Sequence, residues 1–368
     1  MKKSRKYIIS GGGTGGHVFP ALAIAGELKR RDPSASILFV GAIGRMEMEK
    51  VPEAGYPIIG LPVEGLRRKI GFRNFIVIGK LLISILKSRR IIKSFKPDAV
   101  IGVGGYASGP LIRAASMLNI PVLLQEQNSY AGVTNRWLAG KAKKICVAYE
   151  GMEKYFSTDK IVLTGNPIRQ EIFSNPPERK VAAEFFGIDG NTPVVLVLGG
   201  SLGARTINES ILGKTGILEK ENLVVIWQTG KLYYNQIRQQ IDSLSLKKIK
   251  YFDFVKRMDL AYAVADVIIS RAGATTISEL CMLGKPVILV PSPNVAEDHQ
   301  TRNAMALVKN NAAIMVKDIE AREKLVDQII DLLHNSELQK TLAANCRKMA
   351  LPDSAAKIAD EIEKIIAN

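Results

Sequence analysis

Cysteine is almost missing from this chain: Cys146, Cys281 and Cys346 are its only three, widely spaced and without a CxxC pair. That spacing supports neither a disulfide framework nor a zinc site, and it fits a reducing compartment. Long apolar runs are missing too. None reaches the ~18 residues that span a bilayer. The basic start Met1-Lys-Lys-Ser-Arg-Lys6 leads only into Tyr7-Ile-Ile9 before glycines, which does not read as a secretion signal. Acidic residues are absent from one long stretch, residues 66–96, which is unusual for a solvated helix face. What remains is a globular composition, 47% hydrophobic and 23% charged over 368 residues, long enough for two domains with a core each.

The charge is uneven. Residues 1–166 hold 26 Lys+Arg against 11 Asp+Glu, whereas residues 167–368 hold 25 against 24. A basic first half beside a near-neutral second half points the first half at something anionic. The charge concentrates in residues 66–96, where ten Lys/Arg interleave with Phe75-Ile-Val-Ile78, Leu81-Leu-Ile83 and Ile85-Leu86. An apolar helix flanked by cations is the composition of a segment resting on anionic lipid. A core helix with solvated lysines is the plainer alternative. Nucleic acid is disfavoured, because one aromatic in the apolar run offers no stacking platform.

Glycine turns organise the rest. Asp266-Val-Ile-Ile-Ser270 reads as a buried strand, Ala272-Gly273-Ala274 as a turn, and Thr275 or Thr276 as the start of a helix through Glu279. A helix N-terminus after such a turn suits phosphate, and Glu279 could accept sugar hydroxyls. An ordinary turn with a solvated Glu279 is the alternative. At the start of the chain, strand Lys6–Ser10 enters Gly11-Gly-Gly-Thr-Gly-Gly-His17 and then a helix with Pro20 in its first turn. Gly11, Gly13 and Gly16 satisfy GxGxxG, but a dinucleotide site wants an acid ending the second strand. Gly41-Ala42 stands there, and Asp32 comes too early, so the oxidoreductase reading is set aside. His17 is then an accessible histidine at a helix start, functional or merely capping.

A second turn, Gly104-Gly-Tyr-Ala-Ser-Gly-Pro110, and the strand end Gln125-Glu-Gln-Asn128 add Tyr106, Ser108, Glu126 and Asn128 to His17 as candidates converging on one crevice. Local hydrogen bonding of Glu126 and Asn128 within a turn is the alternative for those two. After Gly165-Asn-Pro-Ile-Arg169 and the linker-like Asn175-Pro-Pro-Glu178, the pattern repeats: strand 193–198, then Gly199-Gly-Ser-Leu-Gly-Ala204, then a helix. Further strands are expected near 223–227, 249–252, 267–270, 287–290 and 313–316, and a helical tail from 320 to about 349. A last helix follows Pro352, with apolar positions Ala356, Ile358, Ile362 and Ile365.

Seven motifs in order closely resemble the MurG family of UDP-N-acetylglucosamine transferases: Gly12-Gly-Thr-Gly-Gly-His17, Gly104-Gly-Tyr-Ala-Ser-Gly-Pro110, Glu126-Gln-Asn128, Gly165-Asn-Pro-Ile-Arg169, Gly199-Gly-Ser-Leu-Gly-Ala204, the stretch Ser270 to Glu279, and Asp298-His-Gln300 through Asn303. The resemblance covers nearly the whole chain. It implies an α/β protein of GT-B architecture, two doubly wound parallel-sheet, Rossmann-like domains facing one cleft. Residues 1–166 would form the acceptor and membrane-facing domain, 167–350 the donor domain, and 351–368 a final helix packing back on the first. It implies transfer of GlcNAc from UDP-GlcNAc to the 4-hydroxyl of the MurNAc of lipid I, with inversion, giving lipid II at the cytoplasmic face of the inner membrane. For the donor it implies Thr14, Gly15, Gly16, Asn128, Arg169, Ser201, the Val255 backbone at the uracil, Ala274, Thr275, Thr276, Glu279 at the ribose and Gln300 near the sugar. His299 departs from members with a second glutamine there. Tyr106 and Ser108 fall on the acceptor side. His17 is the first candidate for the general base and Glu126 the second.

Other readings stay open from residues alone: a UDP-GlcNAc 2-epimerase, a non-catalytic nucleotide-sugar sensor, and a glycolipid synthase acting on diacylglycerol. No cofactor is expected. No Asp-x-Asp triplet occurs, so a metal clamp of the GT-A kind has no obvious ligands. Transfer by the purified enzyme should therefore persist in excess chelator; strict dependence on added Mg²⁺ or Mn²⁺ in that assay would refute the metal-independent site.

Overall fold

The computed structural model describes residues 4–64, 72–168, 171–244 and 246–367. The chain divides into two compact units, residues 1–168 with 351–368, and residues 169–350.

The first unit is built on seven parallel strands: β1 (Lys6–Ser10), β2 (Ser36–Ala42), β3 (Ile58–Leu61), β4 (Ala99–Gly102), β5 (Val122–Glu126), β6 (Lys144–Val147) and β7 (Ile161–Leu163). Their order across the sheet is β3-β2-β1-β4-β5-β6-β7. Such apolar runs must be buried on both faces, which is why helices cover both sides. One face holds Ile8, Val40, Val100, Leu111 and Leu124; the other holds Ile9, Ile24, Phe39, Ile101 and Leu123. The helix Ser354–Ala367 completes that second face with Ile358, Ala359, Ile362 and Ile365. Arg31 anchors it, donating to Asp360 Oδ1 at 2.7 Å, Glu363 Oε1 at 3.2 Å and the Ala356 carbonyl at 2.8 Å.

The second unit repeats the plan with six strands: β8 (Val194–Leu198), β9 (Val224–Gln228), β10 (Ile249–Phe252), β11 (Val267–Ser270), β12 (Val287–Leu289) and β13 (Ile314–Met315). The order is β10-β9-β8-β11-β12-β13. Trp227 is fully buried in its core and its indole N–H donates to Asn208 Oδ1 at 3.0 Å. In each unit the chain adds strands to one side of its first strand and then crosses to the other. The crevice at that switch lies between β1 and β4 in one unit and between β8 and β11 in the other, where α/β sheets hold ligands.

Some details depart from the sequence expectations. The short strand β3 and the helix Glu47–Glu53 were not anticipated. Pro57 and Pro62 flank β3 and mask its pattern, which is tolerable because β3 is an edge strand. The tail helix is two helices, Ala321–His334 and Ser336–Lys348, separated at Asn335, whose side chain caps the second by accepting from Leu338 N. Cys281 and Cys346, distant in sequence, sit with sulfurs 3.9 Å apart as free thiols. The basic segment forms the helix Phe72–Phe95; Arg67, Arg68 and Lys69 lie outside the described residues. No described helix is long and apolar enough to cross a membrane.

Because Ile362 is fully buried against the β1–β4 face, Ile362→Ala should lower the stability of the first unit by about 2–4 kcal/mol. An unchanged urea midpoint for that unit's transition would show that the last helix is not part of its core.

Candidate active site

In the first unit, β1 ends at the switch point and delivers the glycine loop at residues 11–16. Thr14 is extended (φ −143°) and its carbonyl accepts from His17 N and Val18 N, both at 3.1 Å, starting the helix Gly15–Arg31. Two loops meet here backbone to backbone. Gly105 has φ +85°, and a Cβ on it would lie 2.4 Å from the Gly12 carbonyl oxygen. Glycine is required by both the angle and the contact.

The loop is braced from behind by a residue that sequence reasoning missed. Glu47 is fully buried, and its carboxylate accepts from Gly13 N at 2.8 Å and from Ala42 N at 2.9 Å. Its oxygens lie where a Gly12 side chain would be, 2.1 Å from an ideal Cβ. An internal carboxylate thus occupies the Gly13 N–H. This is a physical reason why the loop, despite its GxGxxG spelling, does not offer that amide to a phosphate. Only the length from Gly44 to a helix with Pro52 marks the spot in sequence, and neither signals a buried charge.

His17 stands on the first turn, half-buried. Its Nδ1 lies 2.9 Å from Gln127 Oε1, and its ring rests on Gly104, where a Cβ would come within 2.8 Å of Nδ1 and Cε1. Gln127 was overlooked because it does not titrate. Its neighbour Glu126 is buried, and its carboxylate accepts from Asn128 N at 3.1 Å, Gly132 N at 3.0 Å and Asn135 Nδ2 at 2.9 Å. Those bonds shape the turn after β5. Asn128 is half-buried beside it. Ser108 is buried and donates to the Gly105 carbonyl at 2.8 Å, while Tyr106 is exposed. Thr14 is exposed and Gly15 and Gly16 are half-exposed.

In the second unit, the loop at 199–204 follows β8. Gly200 and Gly203 have φ of +82° and +93°, and Lys231 N donates to the Ser201 carbonyl at 3.2 Å. Ser201 is exposed. After β11, Gly273 is extended and caps the helix Ala274–Leu283, whose N-terminal turn of Ala274, Thr275 and Thr276 carries the positive end of the helix dipole. Glu279 is buried one turn further on and accepts from the buried Tyr262 hydroxyl at 3.2 Å. Val255 N donates to Gln228 Oε1 at 3.0 Å. Gln300 accepts from Ser292 N at 2.8 Å, next to a loop in which Glu297 and Asp298 have positive φ. Asp318, also missed, links the two turns: it pairs with Arg271 after β11 and accepts from Thr206 at 2.8 Å in the helix after β8. Arg169 lies outside the described residues. Among those described, no cluster of three or more His, Cys, Asp or Glu side chains suits a metal ion.

Two family models match the chain: the glycosyltransferase family 28 N-terminal domain over residues 7–147 and the family 28 C-terminal domain over residues 194–360. A Bacteroides fragilis protein described as UDP-N-acetylglucosamine–N-acetylmuramyl-(pentapeptide) pyrophosphoryl-undecaprenol N-acetylglucosamine transferase is 53% identical over 362 residues, 98% of this chain and 95% of that protein. A Parabacteroides distasonis protein of the same description is 54% identical, covering 98% and 99%. The crystal structure of Acinetobacter baumannii MurG aligns with a TM-score of 0.80 at 32% identity, covering 98% and 99%. A Neisseria meningitidis UDP-GlcNAc 2-epimerase aligns at 0.67, but at 15% identity it shares the fold alone.

Removing the carboxylate in Glu47→Ala leaves the Gly13 loop amide and the Ala42 amide at the end of β2 without their acceptor, which should cost at least about 1–3 kcal/mol and speed hydrogen exchange at the Gly13 amide. Wild-type exchange at Gly13 in a folded Glu47→Ala protein would show that the carboxylate does not hold the loop.

Proposed function

The chain belongs to glycosyltransferase family 28 and, within it, to the MurG family, and from that premise we propose the reaction and the roles of its residues. It moves GlcNAc from UDP-GlcNAc to the 4-hydroxyl of the MurNAc of undecaprenyl-diphospho-MurNAc-pentapeptide (lipid I), giving lipid II and UDP in peptidoglycan synthesis. The observation that carries this reading is identity above 50% to transferases of that description over nearly the full length of both chains.

The step is a single displacement. The acceptor hydroxyl oxygen bonds to the anomeric carbon as the bond from that carbon to the UDP β-phosphate oxygen breaks, and the bonding pair leaves with UDP. Attack from the opposite face inverts the sugar to a β1→4 link. His17 takes the hydroxyl proton. It is accessible and lies on the glycine loop at the switch point, whereas the Glu126 carboxylate is engaged by Asn128, Gly132 and Asn135. We therefore assign Glu126 to shaping the loop and His17 to proton transfer.

The second unit takes the donor. We assign the helix starts at Arg205 and Ala274, and Arg169 by its place in the motif, to neutralising the charge that builds on UDP. Glu279 takes the ribose, the Val255 backbone the uracil, Ser201 with Ala274, Thr275 and Thr276 the nucleotide, and Gln300 the sugar. Uracil must then share or displace the Gln228 acceptor now on Val255 N. Thr14, Gly15, Gly16 and Asn128 contribute from the first unit, and Tyr106 and Ser108 belong to the acceptor.

The acceptor is a lipid, and the helix Phe72–Phe95 is suited to meet it. Ile78, Leu82, Ile83 and Leu86 are exposed, and along the same helix Arg90 and Lys93 are exposed beyond them. An apolar stripe running into cations rests on an anionic surface. In this reading, which takes the location from the family, the enzyme is a peripheral protein at the cytoplasmic face of the plasma membrane, with no part for nucleic acid.

Radiolabelled UDP-GlcNAc offered with a lipid I analogue, with diacylglycerol or with no acceptor should label the lipid I analogue alone. Conversion of UDP-GlcNAc without acceptor would instead favour an epimerase. His17→Ala should lower kcat by roughly 10²-fold or more, and a near-wild-type kcat would remove His17 from proton transfer.

A further inference from the structure

We propose that Gln127 is a positioning residue for the transfer, fixing the tautomer of His17 so that the ring proton sits on Nδ1 and the basic lone pair on Nε2. The inference rests on His17 being the general base.

The orientation follows from a chain of buried amides. Gln125, Gln127 and Asn166 are all within 2% of full burial. Asn166 Nδ2 donates to the Gln127 carbonyl at 3.0 Å, so Asn166 Oδ1 is the atom that accepts from Gln125 Nε2, also at 3.0 Å. That leaves Gln125 Oε1 as the acceptor facing Gln127 Nε2. Gln127 Nε2 also donates to the Val103 carbonyl at 2.9 Å and to the Gln125 carbonyl at 3.2 Å. Reversing the Gln127 amide would point its oxygen at three acceptors. Buried polar groups do not tolerate such pairings, so the network has one sense.

The end of the chain is Gln127 Oε1, 2.9 Å from His17 Nδ1. A carbonyl oxygen only accepts, so Nδ1 must donate and the neutral ring carries its lone pair on Nε2. Gly104 leaves room for the ring in this position, since a Cβ there would collide with Nδ1 and Cε1 at 2.8 Å. An amide partner does this without placing a charge beside the base. It also ties the base to Asn166, in the segment where the chain leaves the first unit.

The chain has three histidines, His17, His299 and His334, so ¹⁵N-histidine spectra of the full-length protein are readily assigned with a His17→Ala control. Above its titration point, wild-type His17 should appear as the Nδ1–H tautomer. Gln127→Met removes the acceptor at similar size. It should shift His17 toward Nε2–H and lower kcat at least about 10-fold, with KM for UDP-GlcNAc little changed. Gln127→Glu restores an acceptor, so it should recover rate over Gln127→Met. A carboxylate beside the ring favours imidazolium, so the acid limb of the kcat/KM profile should move to higher pH. A wild-type enzyme with His17 as Nε2–H, while His17→Ala is inactive, would overturn this inference alone. A His17→Ala enzyme of normal rate would overturn the base assignment and with it the role of Gln127. A Gln127→Met enzyme with wild-type kcat and pH profile would also overturn it.

Discussion

The constraint on which both units depend is the reversal of strand order at the first strand. Where the sheet starts to grow in the other direction, two loops must leave neighbouring strands side by side, and helices must start at once. Only backbone fits between them, so glycines with left-handed angles gather there. The two units meet the constraint differently. In the first, Gly12 and Gly105 touch across the switch itself, between the loops after β1 and β4, and Glu47 fills the space behind. In the second, the close contact is between Gly203 and Gly230, on the β9 side, away from β11. The second unit's loop is thus braced from outside the crevice. Its two helix starts, tied by Asp318, are arranged around the switch. That difference suits a division in which one unit supplies a base and the other neutralises a diphosphate.

Much of this was legible. Strands such as Val194–Leu198 and Val267–Ser270 are unbroken apolar runs bounded by glycine or polar residues, and a parallel sheet buried on both faces demands that pattern. The repeated strand, Gly-Gly turn and helix identified two similar units. What was not legible has a common cause. Strand β3, flanked by Pro57 and Pro62, and the helix Glu47–Glu53, with Pro52 inside it, are short segments that read as loop. Glu47, Gln127 and Asp318 act through partners far away in sequence, and nothing local distinguishes a buried carboxylate from a solvated one. Glu126 shows the converse. An acid at the end of a strand in a ligand crevice looks catalytic, yet three short-range donors from Asn128, Gly132 and Asn135 engage it.

The roles assigned to His17 and Gln127 also explain why the glycine loop is not simply a phosphate cradle. An imidazole that must accept a proton works better away from a concentrated positive potential, because cationic neighbours lower its affinity for protons. The Glu47 carboxylate offsets the field of the helix start at Gly15, on which His17 sits. The proposed reaction instead assigns the stabilisation of the leaving diphosphate to the second unit.

The helix Ser354–Ala367 gives the chain an unusual schedule. During synthesis the first 168 residues emerge early, but the face of their sheet formed by Ile9, Ile24 and Ile101 lacks the cover of Ile358, Ile362 and Ile365. That cover cannot arrive until the whole second unit has been made. The unit that starts first is therefore finished last, with an apolar sheet face open to chaperones or to misassembly in between. The second unit, being continuous, is free of that delay.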